Sequence, residues 1–302
     1  MSVTLVVIGG ATATGKSDLA VALAQRIGGQ VVNADSMQLY KDMDIGTAKL
    51  SMAERQGIPH HMLDLVEVST DVNVAWYQER ARAVIDELLA ADIPVIVVGG
   101  TGFYIKAILD DLNFPDTDPA VREKLTLEAE KIGGDALHQR LGKLDPAAAA
   151  AIPRENVRRV IRALEVIEIT GEPFTANLPR EDSTKYPQAL QFGLNMDREL
   201  LDDRVELRVD RMFQQGLVNE VEELITKGLL EGKTARAALG YAQVISALAG
   251  EITMDEAISQ TKLATRQYIR RQETWFRRDQ RITWLEPDSD RLATIEKAIL
   301  TS

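Results

Sequence analysis

The sequence predicts an α/β fold in which a parallel sheet carries helices on both faces and is interrupted by a helical insert. Short β-branched runs alternate with amphipathic helical segments in the first part of the chain. A glycine-rich stretch follows the first of these runs, and from about residue 116 the pattern becomes wholly helical. Strands that alternate with helices form parallel sheets whose faces are covered, which gives the core of the predicted fold.

The elements of the sheet follow from local patterns. Residues 3–8 form a β-branched run that ends at a glycine pair, which predicts a buried strand. Residues 16–27 carry apolar side chains at helical spacing, and Gly28-Gly29 ends that helix. The same criteria predict a second strand at 30–36, an amphipathic helix at 74–91 and a third strand at 94–100.

The insert is bounded by residue types that start and stop helices. Asp118 can cap a helix whose first residue is Pro119, and the helical pattern continues to Gly171, which is followed closely by proline. Strand character resumes at 189–195 and returns at 281–287. We therefore expect the first part of the core at 1–115, the insert at 116–187, and the second part of the core, with basic C-terminal helices, at 188–302.

Composition excludes several classes of protein. The 302 residues contain no cysteine, which excludes disulfides, thiolate nucleophiles and cysteine-bound zinc. The net charge of −11 argues against a nucleic acid partner, although a local basic patch can bind where the average charge repels. No apolar run is long enough to span a bilayer, and the N-terminal apolar stretch lacks the basic residues of a signal peptide. We expect a cytoplasmic protein without a membrane partner.

The stretch GATATGKS has the spacing of a loop that binds phosphate. Gly10, Gly15, Lys16 and Ser17 match the pattern G-x-x-x-x-G-K-S between a strand and a helix. In such a loop, backbone N–H groups converge on phosphate oxygens, the lysine adds a positive charge and the serine hydroxyl is placed to bind Mg²⁺. The motif predicts a P-loop NTPase-like core and a bound phosphate, but it does not identify the compound that carries the phosphate.

Asp35 is the acid best placed to act near this loop. It follows the second predicted strand, and a carboxylate at the carboxyl edge of a parallel strand points into the crevice where ligands bind. The third strand ends instead in glycines and Thr101, so an NTPase's metal-binding acid has no counterpart there. Asp35 could act as a base, bind a metal or form a turn, and its position alone leaves these roles open.

Further stretches occur in a specific order. They are NADSMQLYKDMDIGTAK at 33–49, PHHMLD at 59–64, VGGTGFYIKAIL at 98–109, RRVIRALEVIEITGEP at 158–173, LGYAQ at 239–243 and TRQYIRRQETWFRRD at 265–279. With the loop, they closely resemble the tRNA dimethylallyltransferases, also called tRNA isopentenyltransferases, of the bacterial type. The sequence departs from that family at Ala11, where proline is frequent, and at Ala242, where many members have lysine or arginine.

The resemblance implies a reaction and individual roles. The loop would hold the diphosphate of dimethylallyl diphosphate, which is the leaving group, while the five-carbon unit passes to N6 of adenosine 37 in the tRNA anticodon loop. Asp35 would be the catalytic base, and Thr101 would line the channel where donor and amine meet. Gln38 would help to read the adenine edge, and Arg208 would clamp the diphosphate. The implied diphosphate contacts are Gly10, Ala11, Thr12, Ala13, Thr14, Gly15, Lys16, Ser17 and Arg208, with Mg²⁺ on Ser17.

Two basic clusters would contact the tRNA. Lys262, Arg266 and Arg270 are spaced to share one helix face, with aromatic residues interleaved, and a second cluster lies at 158–162. Such faces are usually solvated and partly paired, as Arg162 could be with Glu165 and Arg208 with Glu206 or Asp210. The expected tRNA contacts are Asp35, Ser36, Met37, Gln38, Thr101, Arg122, Arg158, Arg159, Arg162, Gly240, Tyr241, Arg266, Arg270, Arg271, Gln272 and Trp275.

Three alternatives stay open. An adenylate isopentenyltransferase would share the loop and Asp35, but it would have little use for the insert or the basic helix. A P-loop kinase would bind ATP in the loop and use Asp35 to deprotonate a hydroxyl. A non-catalytic RNA-binding switch would bind nucleotide without turnover. We expect a monomer that binds tRNA, through its anticodon stem-loop, and dimethylallyl diphosphate.

Overall fold

A computed structural model describes residues 4–177 and 183–301. Contacts divide the chain into two units, one formed by Met1–Leu109 with Tyr186–Ser302 and the other by Asp110–Lys185. The sequence placed the start of the insert at 116, later than the structure does. The second unit starts earlier because its entering and leaving segments pair with each other, with an antiparallel bridge between Asp110 and Thr184.

The first part of the larger unit alternates strands with helices, as the sequence predicts. Its elements are β1 (Leu5–Gly9), α1 (Lys16–Ile27), β2 (Gln30–Asn33), β3 (His60–His61), α2 (Val74–Ala90), β4 (Val95–Gly99) and α3 (Gly102–Leu109). Helix α1 has the predicted bounds, and it ends at Gly28 in the left-handed conformation with φ of 67°. The sequence does not predict β3, because two residues are too few to form a pattern.

The smaller unit is helical and has its own core. Its helices are α4 (Pro119–Ile132), α5 (Gly134–Leu144), α6 (Pro146–Ala151) and α7 (Val157–Thr170). As predicted, the side chain of Asp118 caps α4 by accepting the N–H of Ala120 at 2.8 Å, and Gly171 ends α7 with φ of 73°. Buried side chains from all four helices, including Leu125, Leu141 and Leu164, pack together inside this unit.

The rest of the larger unit adds two strands and a series of helices. These are β5 (Leu190–Leu194), α8 (Arg198–Gln214), α9 (Leu217–Thr226), α10 (Tyr241–Leu248), α11 (Met254–Phe276), β6 (Ile282–Leu285) and α12 (Arg291–Thr301). Both strands lie within the predicted ranges 189–195 and 281–287. The long helix α11 begins with Thr253 and Glu256, whose side chains each bond the backbone N–H of the other residue.

The described strands form one parallel sheet in the order β3-β2-β4-β1-β5-β6. Strand β4 therefore lies between β2 and β1. Because parallel strands end at the same edge of a sheet, the segments that follow β1, β2 and β4 meet there. These segments are the phosphate loop and the stretches that contain Asp35 and Thr101.

Helices cover both faces of the sheet. On one face, Val7 and neighbouring strand residues pack with Ile85 of α2 and Ile108 of α3. On the other face, Ile8 and its neighbours pack with Leu23 of α1. Strands that are buried on both faces have continuous apolar sequences. This is why β1 and β4 are recognisable in the sequence although apolar and polar residues do not alternate in them.

Candidate active site

The phosphate loop connects β1 to the first turn of α1. Ala13 and Gly15 have positive φ angles of 65° and 87°, which fold the backbone into a tight curve. The Ala11 carbonyl accepts hydrogen bonds from the Thr14 hydroxyl at 2.9 Å and from Lys16 Nζ at 2.5 Å, so Lys16 is held over the loop. This segment contains all of the predicted loop residues: Gly10, Ala11, Thr12, Ala13, Thr14, Gly15, Lys16 and Ser17.

Lys16 and Arg208 bring two positive charges to the same site. Burial and the nearby Arg208 guanidinium lower the pKa of Lys16 to about 7, although Asp35 acts in the opposite direction. Burial also lowers the pKa of Arg208, again against the influence of Asp35. Cations that lose water and repel each other are stabilised by an anion that binds between them. The loop is therefore suited to a compound with several negative charges, such as a diphosphate.

Asp35 is fixed beyond the end of β2 by local hydrogen bonds. Asn33 Oδ1 accepts the N–H of Asp35, and Asn33 Nδ2 donates to the Asp35 carbonyl, both at 3.0 Å. The Tyr77 hydroxyl donates to the Asn33 carbonyl at 2.8 Å, which ties this turn to α2. Asp35 Oδ1 accepts the N–H of Met37 at 2.9 Å. Burial raises the pKa of Asp35, while this hydrogen bond and the two nearby cations oppose the rise, so the carboxylate is suited to accept a proton.

Thr101 lies beside the Asp35 segment because the two strands are neighbours in register. Strands β2 and β4 pair with Asn33 opposite Val98, so both chains leave the sheet at the same level. The N–H of Ser36 donates to the Thr101 hydroxyl at 3.2 Å, and the two hydroxyl oxygens are 3.5 Å apart. The sequence motif names Asp35 and Thr101 separately, and the register explains why they belong to one site.

The second strand is shorter than predicted because its continuation crosses over β4. The N–H of Thr101 donates to the Ala34 carbonyl at 3.2 Å. A Cβ atom at Gly99 would lie 2.2 Å from that carbonyl oxygen, so only glycine allows the approach. The predicted strand 30–36 therefore ends at Asn33, and the next residues leave the sheet toward the site.

These groups surround a cavity of about 860 Å³. The phosphate loop contributes Lys16 and Ser17 to its lining, the segment after β2 contributes Asp35 and Gln38, and α8 contributes Arg208. Pockets of several hundred cubic ångströms bind small molecules through a few convergent polar groups. The cavity therefore brings the predicted base together with six of the predicted diphosphate contacts, which are Thr12, Ala13, Gly15, Lys16, Ser17 and Arg208.

Helix α8 directs one face toward the cavity and pairs its other face with α11. Arg204 and Arg211 line the cavity together with Arg208, at helical spacings of four and three residues. On the other face, Glu206 pairs with Lys262 at 3.0 Å. The alternative in which Arg208 pairs with Glu206 or Asp210 is therefore wrong, because both acids pair with Lys262. Sequence reasoning missed Arg204 and Arg211, although their spacing from Arg208 indicates a shared helix face.

A loop at residues 44–49 holds two of the predicted contacts. The Thr47 carbonyl accepts hydrogen bonds from Gln38 Nε2 at 3.1 Å and from Arg208 Nη2 at 3.4 Å. Lys49 is buried in the same loop, where its Nζ atom pairs with Asp44 at 2.7 Å and donates to the Tyr40 carbonyl at 2.9 Å. The loop thereby orients an amide and a guanidinium toward the cavity.

Glu220 of α9 braces this loop from behind. Its carboxylate accepts the N–H of Ile45 at 2.8 Å and the hydroxyl of Tyr241 at 2.5 Å. The Tyr241 side chain is fully buried, and burial raises its pKa. In this structure Tyr241 belongs to the core that supports the loop, and its expected contact with tRNA stays a prediction. Gly240, with φ of 87°, begins α10 directly before it.

Helix α11 distributes its predicted RNA contacts unequally. Arg270, Arg271 and Trp275 are exposed. Arg266 is instead paired with Glu206 of α8. Gln272 is buried, with only 4% of its surface exposed. The side chains of Arg266 and Gln272 have partners within the protein, and their expected contacts with RNA stay predictions.

In the insert, too, some of the arginines expected to contact RNA are exposed and others are paired within the protein. Arg158 and Arg159 are exposed on α7. Arg122 pairs with the buried Glu165 at 2.6 Å, and Arg162 pairs with the same carboxylate at 2.9 Å. These two arginines neutralise a buried acid, which gives them a structural role, and their expected contacts with RNA stay predictions. The pairing of Arg162 with Glu165 was the alternative that the sequence already offered.

The described residues contain neither a ready-made cluster of metal ligands nor a helix that could span a membrane. Over residues 4–177 and 183–301, no group of three or more histidine, cysteine, aspartate or glutamate side chains could hold a metal ion. A metal at Ser17 would therefore depend on oxygens of a bound ligand. None of the helices in those two ranges combines the length and apolar character needed to cross a membrane.

A glycine-rich loop, two cationic side chains and a carboxylate at the edge of a parallel sheet define an α/β protein with a site suited to an anionic ligand. The sequence model of a family described as IPP transferase matches residues 38–279. The chain belongs to this family, as the sequence motifs predict.

Relatives and solved structures agree with this assignment. The chain is 56% identical over 281 residues to the tRNA dimethylallyltransferase of Streptomyces coelicolor, which covers 93% of this chain and 89% of the relative. It is 55% identical over 291 residues to that of Thermobifida fusca, which covers 95% and 91%. The assignment is thus carried by alignments that span nearly all of both proteins.

The fold is similar to that of two solved enzymes. A tRNA isopentenylpyrophosphate transferase from Bacillus halodurans has a TM-score of 0.73 and 38% identity, with 99% of this chain and 96% of the other covered. A eukaryotic dimethylallyltransferase acting on tRNA has a TM-score of 0.82 and 28% identity, with 99% and 78% covered. The predicted α/β architecture with a parallel sheet is confirmed.

Proposed function

We propose that this chain transfers the dimethylallyl group of dimethylallyl diphosphate to N6 of adenosine 37 in a tRNA anticodon loop. The bond between the prenyl carbon and the diphosphate oxygen breaks, a bond from N6 to that carbon forms, and one N6 proton passes to Asp35. The observation that carries the proposal is the position of Asp35 and Thr101 at the sheet edge that also bears the phosphate loop. The bacterial relatives are tRNA dimethylallyltransferases, which supports transfer of a dimethylallyl group to tRNA.

The leaving group would be held by the loop and by Arg208. An adenine amine is a weak nucleophile, so the reaction requires strong stabilisation of the departing diphosphate. Preorganised N–H groups and cations that are directed at developing negative charge supply this kind of stabilisation. Lys16 and Arg208 line the cavity and carry the required charge, and Arg204 and Arg211 add to it.

Ser17 fits a Mg²⁺ ion that is shared with the diphosphate. Mg²⁺ prefers oxygen ligands and is usually bound by one or two protein groups together with substrate phosphates and water. The cavity offers the Ser17 hydroxyl, and the described residues contain no cluster of three acidic or histidine side chains. When bound, the ion would neutralise negative charge on the diphosphate.

Asp35 would accept the proton that N6 loses. Its raised pKa makes the carboxylate a stronger base than an exposed aspartate, and its Oδ1 atom is oriented by the N–H of Met37. The Thr101 hydroxyl is oriented by the N–H of Ser36 and would line the passage between donor and amine. Gln38, fixed by the Thr47 carbonyl, would read the edge of the adenine.

Exposed groups near α11 support RNA as the acceptor. Phe103 and Trp275 form an edge-to-face pair with ring centroids 6.1 Å apart, and each is 42% exposed. Arg270 and Arg271 are exposed on the same helix as Trp275. Aromatic rings and arginines of this kind stack on unpaired bases and bind phosphates. We propose that the anticodon stem-loop binds here, to a monomeric cytoplasmic enzyme.

Three parallel incubations test the proposal against its alternatives. Dimethylallyl diphosphate is offered with unmodified tRNA, with adenosine monophosphate or with neither, and nucleosides are analysed by mass spectrometry. The proposal predicts prenylated adenosine in tRNA alone. Prenylation of the free nucleotide would instead indicate an adenylate isopentenyltransferase. The absence of prenylated product from all three incubations would contradict the proposal and favour the RNA-binding switch or the kinase.

A further inference from the structure

Gln272 lies in the segment of α11 that was predicted to contact RNA, but it faces the interior. Its neighbours Arg270 and Arg271 are exposed, whereas Gln272 is 4% exposed. It shares the inner face of the helix with Ile269 and Phe276, which are also buried. A polar amide that is buried in this way requires partners for both its oxygen and its nitrogen.

The two partners belong to different parts of the active site. Gln272 Oε1 accepts the backbone N–H of Thr12 in the phosphate loop at 2.9 Å. Gln272 Nε2 donates to the carbonyl of Gly100 at 2.8 Å. Gly100 directly precedes Thr101, so one side chain joins the diphosphate loop to the segment that carries Thr101.

The geometry selects glutamine at this position. The Thr12 N–H can only donate and the Gly100 carbonyl can only accept, so the bridging group needs one acceptor and one donor. A Cβ atom at residue 100 would lie 2.3 Å from Gln272 Nε2, so a side chain there would displace the amide from this bridge. Glutamate would place a second acceptor against the Gly100 carbonyl and a negative charge beside the diphosphate site.

We propose that Gln272 is a positioning residue that fixes the phosphate loop relative to Thr101. The inference rests on the proposed function, because it gives the two joined segments their roles in donor binding and transfer. The Thr12 N–H is used in the bridge, and the bridge would keep the other N–H groups of the loop in place to bind the diphosphate. Since α11 carries the bridge, the helix that presents Arg270 and Arg271 to RNA also sets the shape of the donor site.

The test replaces Gln272 by methionine, which has a similar length and cannot form either hydrogen bond. Gln272→Met should weaken binding of inorganic pyrophosphate, measured by calorimetry, and lower kcat, each by about 10- to 100-fold, because small misplacements of reacting groups have effects of this size. The Kd for tRNA should stay within about twofold of the wild-type value, because the exposed arginines are unchanged. Gln272→Glu should weaken pyrophosphate binding at least as much.

Gln267→Met is the matched control, because Gln267 is exposed on the same helix. It should leave pyrophosphate binding and kcat unchanged. If Gln272→Met weakens tRNA binding alone, Gln272 is an RNA contact and the proposal is wrong. If it lowers only the melting temperature, its role is merely structural and the proposal is wrong. Pyrophosphate binding does not depend on the acceptor, so this measurement still decides the role of Gln272 if the proposed function fails.

Discussion

Asp35 lies in the segment that leaves β2, and its Oδ1 atom accepts the N–H of Met37 at 2.9 Å. Burial raises the pKa of this carboxyl, while the hydrogen bond and the charges of Lys16 and Arg208 limit the rise. The same cations would stabilise the departing diphosphate. In the proposed reaction, one set of charges would both bind the leaving group and keep the base ionised.

Asp35→Ala should abolish most turnover without loss of RNA binding. A positioned general base contributes about 100- to 10,000-fold to a rate, so we expect kcat to fall by a factor in that range. The Kd for tRNA, measured by filter binding, should change by less than about threefold, since most protein–RNA affinity comes from phosphate contacts elsewhere. Full turnover in this variant would show that Asp35 is not the base.

Arg208→Gln should move the acidic limb of the pH profile to higher pH. Turnover falls as the pH falls because the protonated Asp35 carboxyl cannot accept a proton from the amine. The charge of Arg208 lowers the pKa of Asp35, so its removal lets that pKa rise further above the ordinary value of 3.8. The limb is measured from single-turnover rates at saturating donor and tRNA. A limb that stays in place or moves to lower pH would contradict the assignment.

The motif positions of Lys16, Ser17 and Asp35 could be predicted because the phosphate loop and the strand end fix them. The roles of Gln272 and Tyr241 could not, because helix periodicity does not reveal which polar side chain faces inward. Tyr241 is recognisable as a core residue only once Glu220 is seen to accept its hydroxyl. A motif shared with a family thus identified these residues, whereas their partners within the protein are visible only in the structure.

Charged residues on different faces of α8 and α11 have different surroundings. Two residues of the basic stripe predicted on α11 form ion pairs with α8, because Lys262 and Arg266 both pair with Glu206. Arg270 lies beyond this pairing and is exposed. The spacing of the stripe was read correctly, but the acids that meet it come from a distant part of the sequence.

Arg270→Ala and Arg266→Ala should therefore have different effects. Loss of a phosphate contact at Arg270 should weaken tRNA binding and reduce the slope of log affinity against log salt by about one. Arg266→Ala should leave that slope unchanged and reduce the free energy of unfolding by about 1 kcal/mol or less, as for a partly exposed ion pair. Titrations of tRNA at several salt concentrations measure the two salt slopes, and urea unfolding measures the free energy of unfolding. Equal salt slopes for the two variants would contradict the claim that Arg270 contacts RNA while Arg266 pairs within the protein.

Glu220→Ala should destabilise the loop at 44–49. The substitution leaves the N–H of Ile45 and the hydroxyl of Tyr241 without their acceptor, and unmade hydrogen bonds of this kind cost about 1–3 kcal/mol. Urea unfolding measures the loss, with the exposed Glu222→Ala on the same helix as control. The KM for dimethylallyl diphosphate should also rise, because the loop supports Arg208. Equal stability of the two variants would show that the brace is unimportant.

For the whole molecule, strand order is the feature that creates the site. The phosphate loop, Asp35 and Thr101 follow three strands that are separate in sequence, and β4 brings them together by lying between β1 and β2. The alternation of strands and helices could be predicted, because buried parallel strands are short apolar runs. The order of the strands could not, because each run is apolar on both faces and carries no sign of its neighbour.

The net charge of −11 and an RNA substrate are compatible because the described arginines are distributed by function. Arg122 and Arg162 neutralise a buried acid, Arg204, Arg208 and Arg211 line the donor cavity, and Arg270 and Arg271 are exposed. Average charge therefore gave the wrong indication about the partner. Local basic groups are sufficient for RNA binding when they coincide with exposed aromatic rings.

The most direct test follows both products of a single turnover with dimethylallyl diphosphate and unmodified tRNA, in the absence of any nucleoside triphosphate. We predict that inorganic pyrophosphate and N6-prenylated adenosine 37 appear together in a one-to-one ratio, and that Asp35→Ala forms neither at a comparable rate. Pyrophosphate release without a modified nucleoside, or a requirement for triphosphate, would contradict a loop that holds the leaving group of a prenyl transfer.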